Sequence, residues 1–352
     1  MNFQNYTPFA AQTWECVNNK NQNSVVGLAR VKYDLKRVDE YHCDLVLSKD
    51  QGELFDTDIY YDKVGESSVR YESDFVDYKA YTDVIVNANA ICPIKQGSTM
   101  WECCVKIYDN EDKQIVNYPL LVKSEKLYHK AGIIWTPTLR EKAFNVPIIY
   151  EKAYGGTIVQ KDINEEDDEY IYYSKYNPVG CGVKKIKDPK EYINSVQISN
   201  LDEKPQKNPA GYGFIAKNWQ NRLDFIAKYD EKWLEEQHPL PPKDFNYDYN
   251  QAANQKLILV DYAKAGYKFE LQNLKINQKD FYFEIPELEL ITVVKTDLKD
   301  SYQSMNIDTI IVDINDEDKN KHCVYLSYRT MINIKDDVNE SVIMINNKSE
   351  DS

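Results

Sequence analysis

At 352 residues, with 42% hydrophobic and 28% charged side chains, the chain has the balance of a globular protein and length for more than one core. A net charge of -14 argues against nucleic acid and anionic membranes, where Lys and Arg must neutralise phosphates, and favours a protein partner with a neutral or basic face. No run nears the ~18 apolar residues of a membrane span, the start Met1 to Asn5 lacks the basic and apolar parts of a secretory signal, and seven irregularly spaced cysteines read as free thiols, so the cytoplasm is the expected location.

In chain order, the first third predicts strands. Ala29, Val31, Tyr33 and Leu35 alternate with Arg30, Lys32, Asp34 and Lys36, the period-two pattern of a half-buried strand. Val84, Val86, Ala88 and Ala90 repeat it against Asp83, Asn87 and Asn89. Trp101, Cys103, Val105 and Ile107 form a third run, and the turn Asp109 to Asp112 leads into Gln114 to Val116, a hairpin signal. Cys103 and Cys104, adjacent on that strand, face opposite sides and cannot chelate one metal together. Buried thiols are favoured over a zinc site assembled from distant residues.

Residues 132–255 hold most of the prolines and glycines. The acidic run Glu165 to Glu169 lacks the spaced oxygen ligands and central Gly of a calcium loop and reads as a solvated loop. Gly180 to Lys185 reads as a Gly-rich turn, because a phosphate cradle needs a preceding strand and a following helix. Gly211 to Gln255 packs aromatics, Gly and Pro together without helix or strand periodicity, so it is expected to be an ordered, irregular clasp wrapped over a scaffold. Within it, Trp219, Leu223 and Ile226 recur at helical spacing. Asp230 is placed to cap a second helix that carries Trp233 and ends before Pro239, with Glu231 complementing its positive end. Core packing is the simplest reading of both tryptophans.

After the clasp strands return, at Leu257 to Val260, Tyr267 to Leu271, Phe281 to Ile285, Ile291 to Val294, Ile307 to Ile314 and Val324 to Tyr328, the last two flanking a polar hairpin connection. From Asp336 the mostly polar chain reads as a flexible tail. The expected organisation is mainly β: an N-terminal antiparallel sandwich-like lobe over 1–131, the clasp with short helices over 132–255, a C-terminal β lobe over 256–335 and a tail over 336–352.

Taken together, the clasp residues and Thr7-Pro8-Phe9-Ala10, Arg70-Tyr71-Glu72-Ser73-Asp74 with Lys79 and Thr82-Asp83-Val84, Tyr150-Glu151-Lys152-Ala153-Tyr154-Gly155-Gly156 and Asn177-Pro178-Val179-Gly180 resemble a family of bacterial accessory proteins, long labelled a domain of unknown function. Its members are encoded in type VI secretion clusters beside PAAR-repeat spike tips and toxins. The resemblance covers about residues 7 to 290. It departs from the family pattern at Tyr154, where Phe is expected, and at Ala265-Gly266-Tyr267, where a Gly-Gly-Glu-like turn is expected. It implies an adaptor or chaperone that binds a toxin effector or its PAAR-bearing carrier. Trp219, Arg222, Tyr229, Asp230, Trp233, Asp244, Phe245 and Asn250 are the candidate structural or partner-binding residues.

No sequence motif announces a catalyst: there is no Gly-x-Ser-x-Gly elbow, His-Glu-x-x-His or Walker loop, and four histidines stand in unrelated contexts. No catalytic, cofactor or metal residue is therefore assigned, and a non-enzymatic role is expected. A sandwich-type glycosidase or lectin is the rival by fold analogy alone, and a structural piece carried on the spike is the other. The 28 tyrosines suit an interface, though genomic base composition could produce the same excess.

Overall fold

The computed structural model describes residues 1–132, 134–137, 139–161, 169–182, 193–194, 196–201, 208–274, 280–315, 318 and 321–346. The protein is mainly β, and strands from both sides of the clasp share three sheets. In chain order these strands are β1 (Asn2–Tyr6), β2 (Ala10–Val17), β3 (Asn23–Arg37), β4 (Cys43–Leu47), β5 (Asp83–Asn87), β6 (Met100–Tyr108), β7 (Gln114–Lys123) and β8 (Ile198–Asn200). Beyond the clasp come β9 (Lys268–Gln272), β10 (Phe281–Glu284), β11 (Leu290–Thr296), β12 (Asp300–Ser304), β13 (Asn306–Asp313), β14 (Cys323–Asn333) and β15 (Val338–Ile345).

A six-stranded sheet runs β2-β3-β14-β13-β5, with β4 also paired to β3. A five-stranded sheet runs β8-β7-β6-β9-β10, and a four-stranded sheet runs β1-β15-β11-β12. Most pairs are antiparallel, as the sandwich expectation required, but β1 with β15 and β13 with β5 are parallel.

The long strand β3 explains how the layers stack. Only its second half shows the expected alternation; Ser24 through Val31 are all buried. One face meets the four-stranded sheet: a Cβ on Gly27 would lie 2.2 Å from Thr292 Oγ1, so only glycine lets the sheets approach this closely, and Val25 packs with Val294 and Ile332 beside it. On the other face Arg30 donates to Asp74 Oδ2 at 2.6 Å and its guanidinium lies 3.7 Å from the Phe55 ring centre. The same double coverage buries Asp83 and Asn87 of β5, polar positions the alternation assigns to solvent.

Two segments differ from the sequence reading. Leu257–Val260 is not a strand: Gln255–Leu257 forms a 3-10 turn, after which Ile258 makes an isolated bridge to Asp83. The stretch read as a tail contains β15, whose Ser341, Val342 and Ile343 are buried and whose Ser341 hydroxyl meets Thr13 Oγ1 at 2.7 Å. Its alternation is masked because the inward Ser341 is itself polar. Of the acidic run, Glu165 to Asp168 lie outside the described residues, as do Val183 to Lys185 of the Gly-rich turn.

Candidate functional site

The first part of the clasp is threaded through the interior, a correction to the expected surface wrap. Tyr212, Phe214 and Ile215 are buried. Val86 N–H on β5 donates to Tyr212 O at 2.9 Å, while the Tyr212 hydroxyl donates to Tyr118 O on β7 at 2.9 Å, so this irregular segment ties the six-stranded sheet to the five-stranded one. Tyr150 crosses it, donating to Gly213 O at 3.0 Å, and the Trp219 ring packs edge-on against Tyr150 at 5.1 Å. Burial pushes the Tyr150 and Tyr212 hydroxyls well above the ordinary tyrosine pKa, which keeps both as neutral donors.

The short motifs around Tyr150 and Asn177 support this crossing. Asn177 Nδ2 donates to Tyr150 O and Tyr154 O, each at 3.0 Å. A Cβ on Gly155 would stand 2.1 Å from Asn177 O, so the close approach of the two segments requires glycine there.

Buried ion pairs bolt the clasp down further along. Arg222, the buried residue of the four-residue helix α1 (Gln220–Leu223), donates to Glu72 Oε1 at 2.5 Å, Tyr249 O at 2.7 Å and Ile215 O at 3.0 Å. Leu223, assigned inward by the helical spacing, is exposed, because the guanidinium network rather than an apolar stripe holds this turn. Asn250 donates to Tyr78 O at 2.8 Å. Next to it Asp83 accepts from Lys79 Nζ at 2.7 Å, Gln251 Nε2 at 3.0 Å and the backbone N–H groups of Ala252 and Ala253 at 2.8 and 3.2 Å. Four donors compensate a carboxylate that is fully buried. This latch was not among the candidate residues, although Lys79 and Asp83 stood in the quoted motifs.

Between these anchors the chain makes an excursion from Phe225 to Asn246, whose ends meet where Asn246 N–H donates to Phe225 O at 3.4 Å. It carries helix α2 (Glu231–Glu236), capped as expected by Asp230, which accepts from Trp233 N–H at 2.9 Å. Trp233 is half-buried and stands outside the core: its ring meets Tyr229 at 4.7 Å and His238 at 5.2 Å, and its Nε1 donates to Leu240 O at 2.9 Å. It thus closes the excursion on itself. Phe245 rests on Tyr247 and Tyr249, and its carbonyl accepts from Asn19 Nδ2 at 3.0 Å.

The excursion encloses a groove of about 310 Å³ bordered by Asp230, Trp233 and Asp244 together with Lys228, Lys232, Lys243, Glu236 and Pro242. Three lysines, three carboxylates and one indole thus share its lining, a mixture that suits a peptide carrying both charges better than a small anion. Tyr229 and Leu234 stand beside it, 53% and 59% exposed. A smaller cleft of about 150 Å³ lies at the clasp base against Arg222, Phe225, Tyr81 and Ile258. The eight candidates therefore divide: Trp219, Arg222 and Asn250 are internal anchors, Phe245 is an intermediate contact, and Tyr229, Asp230, Trp233 and Asp244 gather at the outer groove. The lysines that complete the groove had no sequence signal, since nothing in their spacing separates them from solvated charges.

Cys103 and Cys104 do face opposite sides, with Cys103 Sγ 3.8 Å from Tyr212 Oη and Cys104 Sγ 3.2 Å from Asn117 Oδ1. Burial pushes the Cys103 thiol up to about 12 and the Cys104 and Cys323 thiols up to about 11, so these thiols hold their protons at neutral pH. Among the described residues, no group of three or more His, Cys, Asp and Glu side chains is arranged to hold a metal ion, and no helix is long and apolar enough to cross a membrane.

Three interleaved sheets, tied by a threaded aromatic segment that ends in a grooved excursion, define a mainly β protein with a built-in irregular strap. The chain belongs to the family described as "Uncharacterized protein conserved in bacteria" (DUF2169), which matches residues 20–329. That span contains the Arg70 to Val84, Tyr150 to Gly156, Asn177 to Gly180 and clasp motifs. No curated protein and no solved structure matches the chain.

Proposed function

We propose that this protein is a non-enzymatic type VI secretion adaptor or chaperone that binds a toxin effector, or the PAAR-bearing carrier of one, in the cytoplasm before firing. The observation that carries this reading is the contrast within the clasp: its base is fixed by the buried Arg222–Glu72 ion pair and by hydrogen bonds to the buried Asp83, while the Phe225 to Asn246 excursion presents Tyr229 and Leu234 beside an open, mixed-charge groove. A rigid base under a solvent-facing aromatic and aliphatic surface suits a partner, because the cost of ordering the segment is met in the free protein. The resemblance carried by the motifs supplies the class of partner, and the negative charge adds attraction for a basic client.

The test is a pulldown of tagged protein from the native cell with mass spectrometry, repeated with Tyr229→Ala/Leu234→Ser. Recovery of a toxin or PAAR protein by the parent, lost in a double variant that melts normally, supports the reading. Recovery of neither protein sinks it.

A further inference from the structure

The excursion is held to the body by very little. Among the described residues, no side chain between Gln220 and Gln251 joins the hydrophobic core, and α2 buries none of its residues. Its bonds are mostly its own: Trp233 Nε1 donates to Leu240 O, and the N–H groups of Gln237 and His238 donate to Trp233 O, all at 2.9 Å. Apart from neighbours along the chain, one hydrogen bond ties the stretch from Ala227 to Asp244 to the rest of the described protein. Gln237 Nε2 donates to Asn21 Oδ1 at 2.7 Å, on the turn between β2 and β3.

Both legs are fixed just outside that stretch. The outgoing leg leaves α1 through Ala227, whose φ of +75° is a left-handed conformation that glycine usually holds at a helix end. The returning leg is set at Phe245, whose ring rests on Tyr247 and Tyr249 and whose carbonyl accepts from Asn19 Nδ2. Strain at Ala227 is relieved once the chain there relaxes, so it pulls against the Gln237 hook. Every residue bordering the groove lies between Lys228 and Asp244, so the groove belongs wholly to the hooked stretch.

We infer that the excursion is a hinged flap that turns at Ala227 and Asp244, is latched by Gln237 on Asn21, and carries the groove with it as a unit. In the closed form one side-chain hydrogen bond at a covered position, Gln237 being 8% exposed, opposes one strained backbone conformation. These opposing contributions are of similar size, so open and closed forms are both populated. A partner segment held in the groove is thereby swung away from the β2–β3 turn while the three sheets stay folded. The flap does not depend on the secretion reading.

The test is double electron–electron resonance on the full-length protein, with spin labels coupled to ketone side chains introduced at Lys20 and Glu235, both exposed. Two distances are expected, a shorter closed one that dominates and a longer open one. Asn21→Gly removes the acceptor, fits the φ of +57° and alters no flap residue, so it is expected to raise the open-to-closed ratio about threefold to tenfold. Ala227→Gly relieves the closed form of its strain and is expected to lower that ratio about threefold or more. A single narrow distance in the parent and both variants overturns the proposal, as does a distribution that neither variant shifts. Both variants shifting it the same way would mean simple loosening and overturn it too. Melting temperatures are read on the same samples, and a fall of several degrees with Asn21→Gly would assign the change to the β2–β3 turn and overturn the hook. Opposite shifts at unchanged melting temperature, with no toxin or PAAR protein recovered from cells, would leave the flap standing and the secretion reading fallen.

Discussion

Arg222 and Glu72 stand 150 residues apart in sequence, and inside the fold Arg222 Nη1 donates to Glu72 Oε1 at 2.5 Å. The contact joins the clasp to the motif Arg70 to Asp74, whose other members are likewise engaged: Arg70 and Tyr71 with Asp313, and Asp74 with Arg30. Breaking one partner of a buried pair leaves an uncompensated charge, so Glu72→Gln or Arg222→Leu is expected to destabilise by about 3 to 5 kcal/mol. The double change Glu72→Leu/Arg222→Met is expected to lose less than the worse single variant. Urea unfolding of all three checks the order.

The two clasp tryptophans are expected to behave differently. Trp219 is 2% exposed in the core, so Trp219→Ala should cost about 3 to 5 kcal/mol. Trp233 is half-buried and packs against residues of the excursion itself, so Trp233→Ala should leave global unfolding nearly unchanged while raising hydrogen exchange across α2. Asp230→Ala removes the cap and is expected to loosen the same helix by about 1 kcal/mol. Equal melting temperatures for the two tryptophan variants would contradict this division.

Gly155→Ala would drive a methyl group into Asn177 O at 2.1 Å, a backbone atom with no rotamer to yield. Overpacking of this kind is expected to destabilise by about 3 kcal/mol or more. Circular dichroism melts decide it, and a variant as stable as the parent would show that the Tyr150 to Gly156 turn can shift.

Buried thiols make an alkaline prediction. Burial raises Cys103 from 9.0 to about 12 and Cys323 from 9.0 to about 11. Between those values the folded chain holds protons that the unfolded chain has released, so the stabilising contribution is whole below pH 9 and is lost as pH climbs through 11 to 12. Unfolding free energy measured in urea is expected to fall above pH 9, and iodoacetamide at pH 8 is expected to leave Cys103 unmodified until denaturant is added.

Much of the β architecture was legible because one strand face met water: Trp101 to Ile107 and Phe281 to Glu284 alternate and are strands. The pattern failed where both faces are covered. Arg30 reads as a solvent position, and only the distant Asp74 makes it an interior one. β15 was unreadable for a related reason, since Ser341 is buried through a hydroxyl contact that residues near it do not announce. In the clasp, the Asp230 cap was readable because it is local, acting three residues ahead. The choice between Trp219 and Trp233 was not, because it depends on Tyr150, which sequence proximity does not supply.

The pairing of β3 with β14 has a consequence for biosynthesis. Arg37 leaves the ribosome long before Cys323 is made, roughly 15 to 60 s at ordinary elongation rates. During that interval β3 can pair with β2 and β4, but its partner in the middle of the six-stranded sheet does not yet exist, and the faces carrying Val25 to Val31 lack their cover. The six-stranded sheet is therefore completed late in synthesis, and the nascent chain is most vulnerable to aggregation while that sheet still waits for β13 and β14.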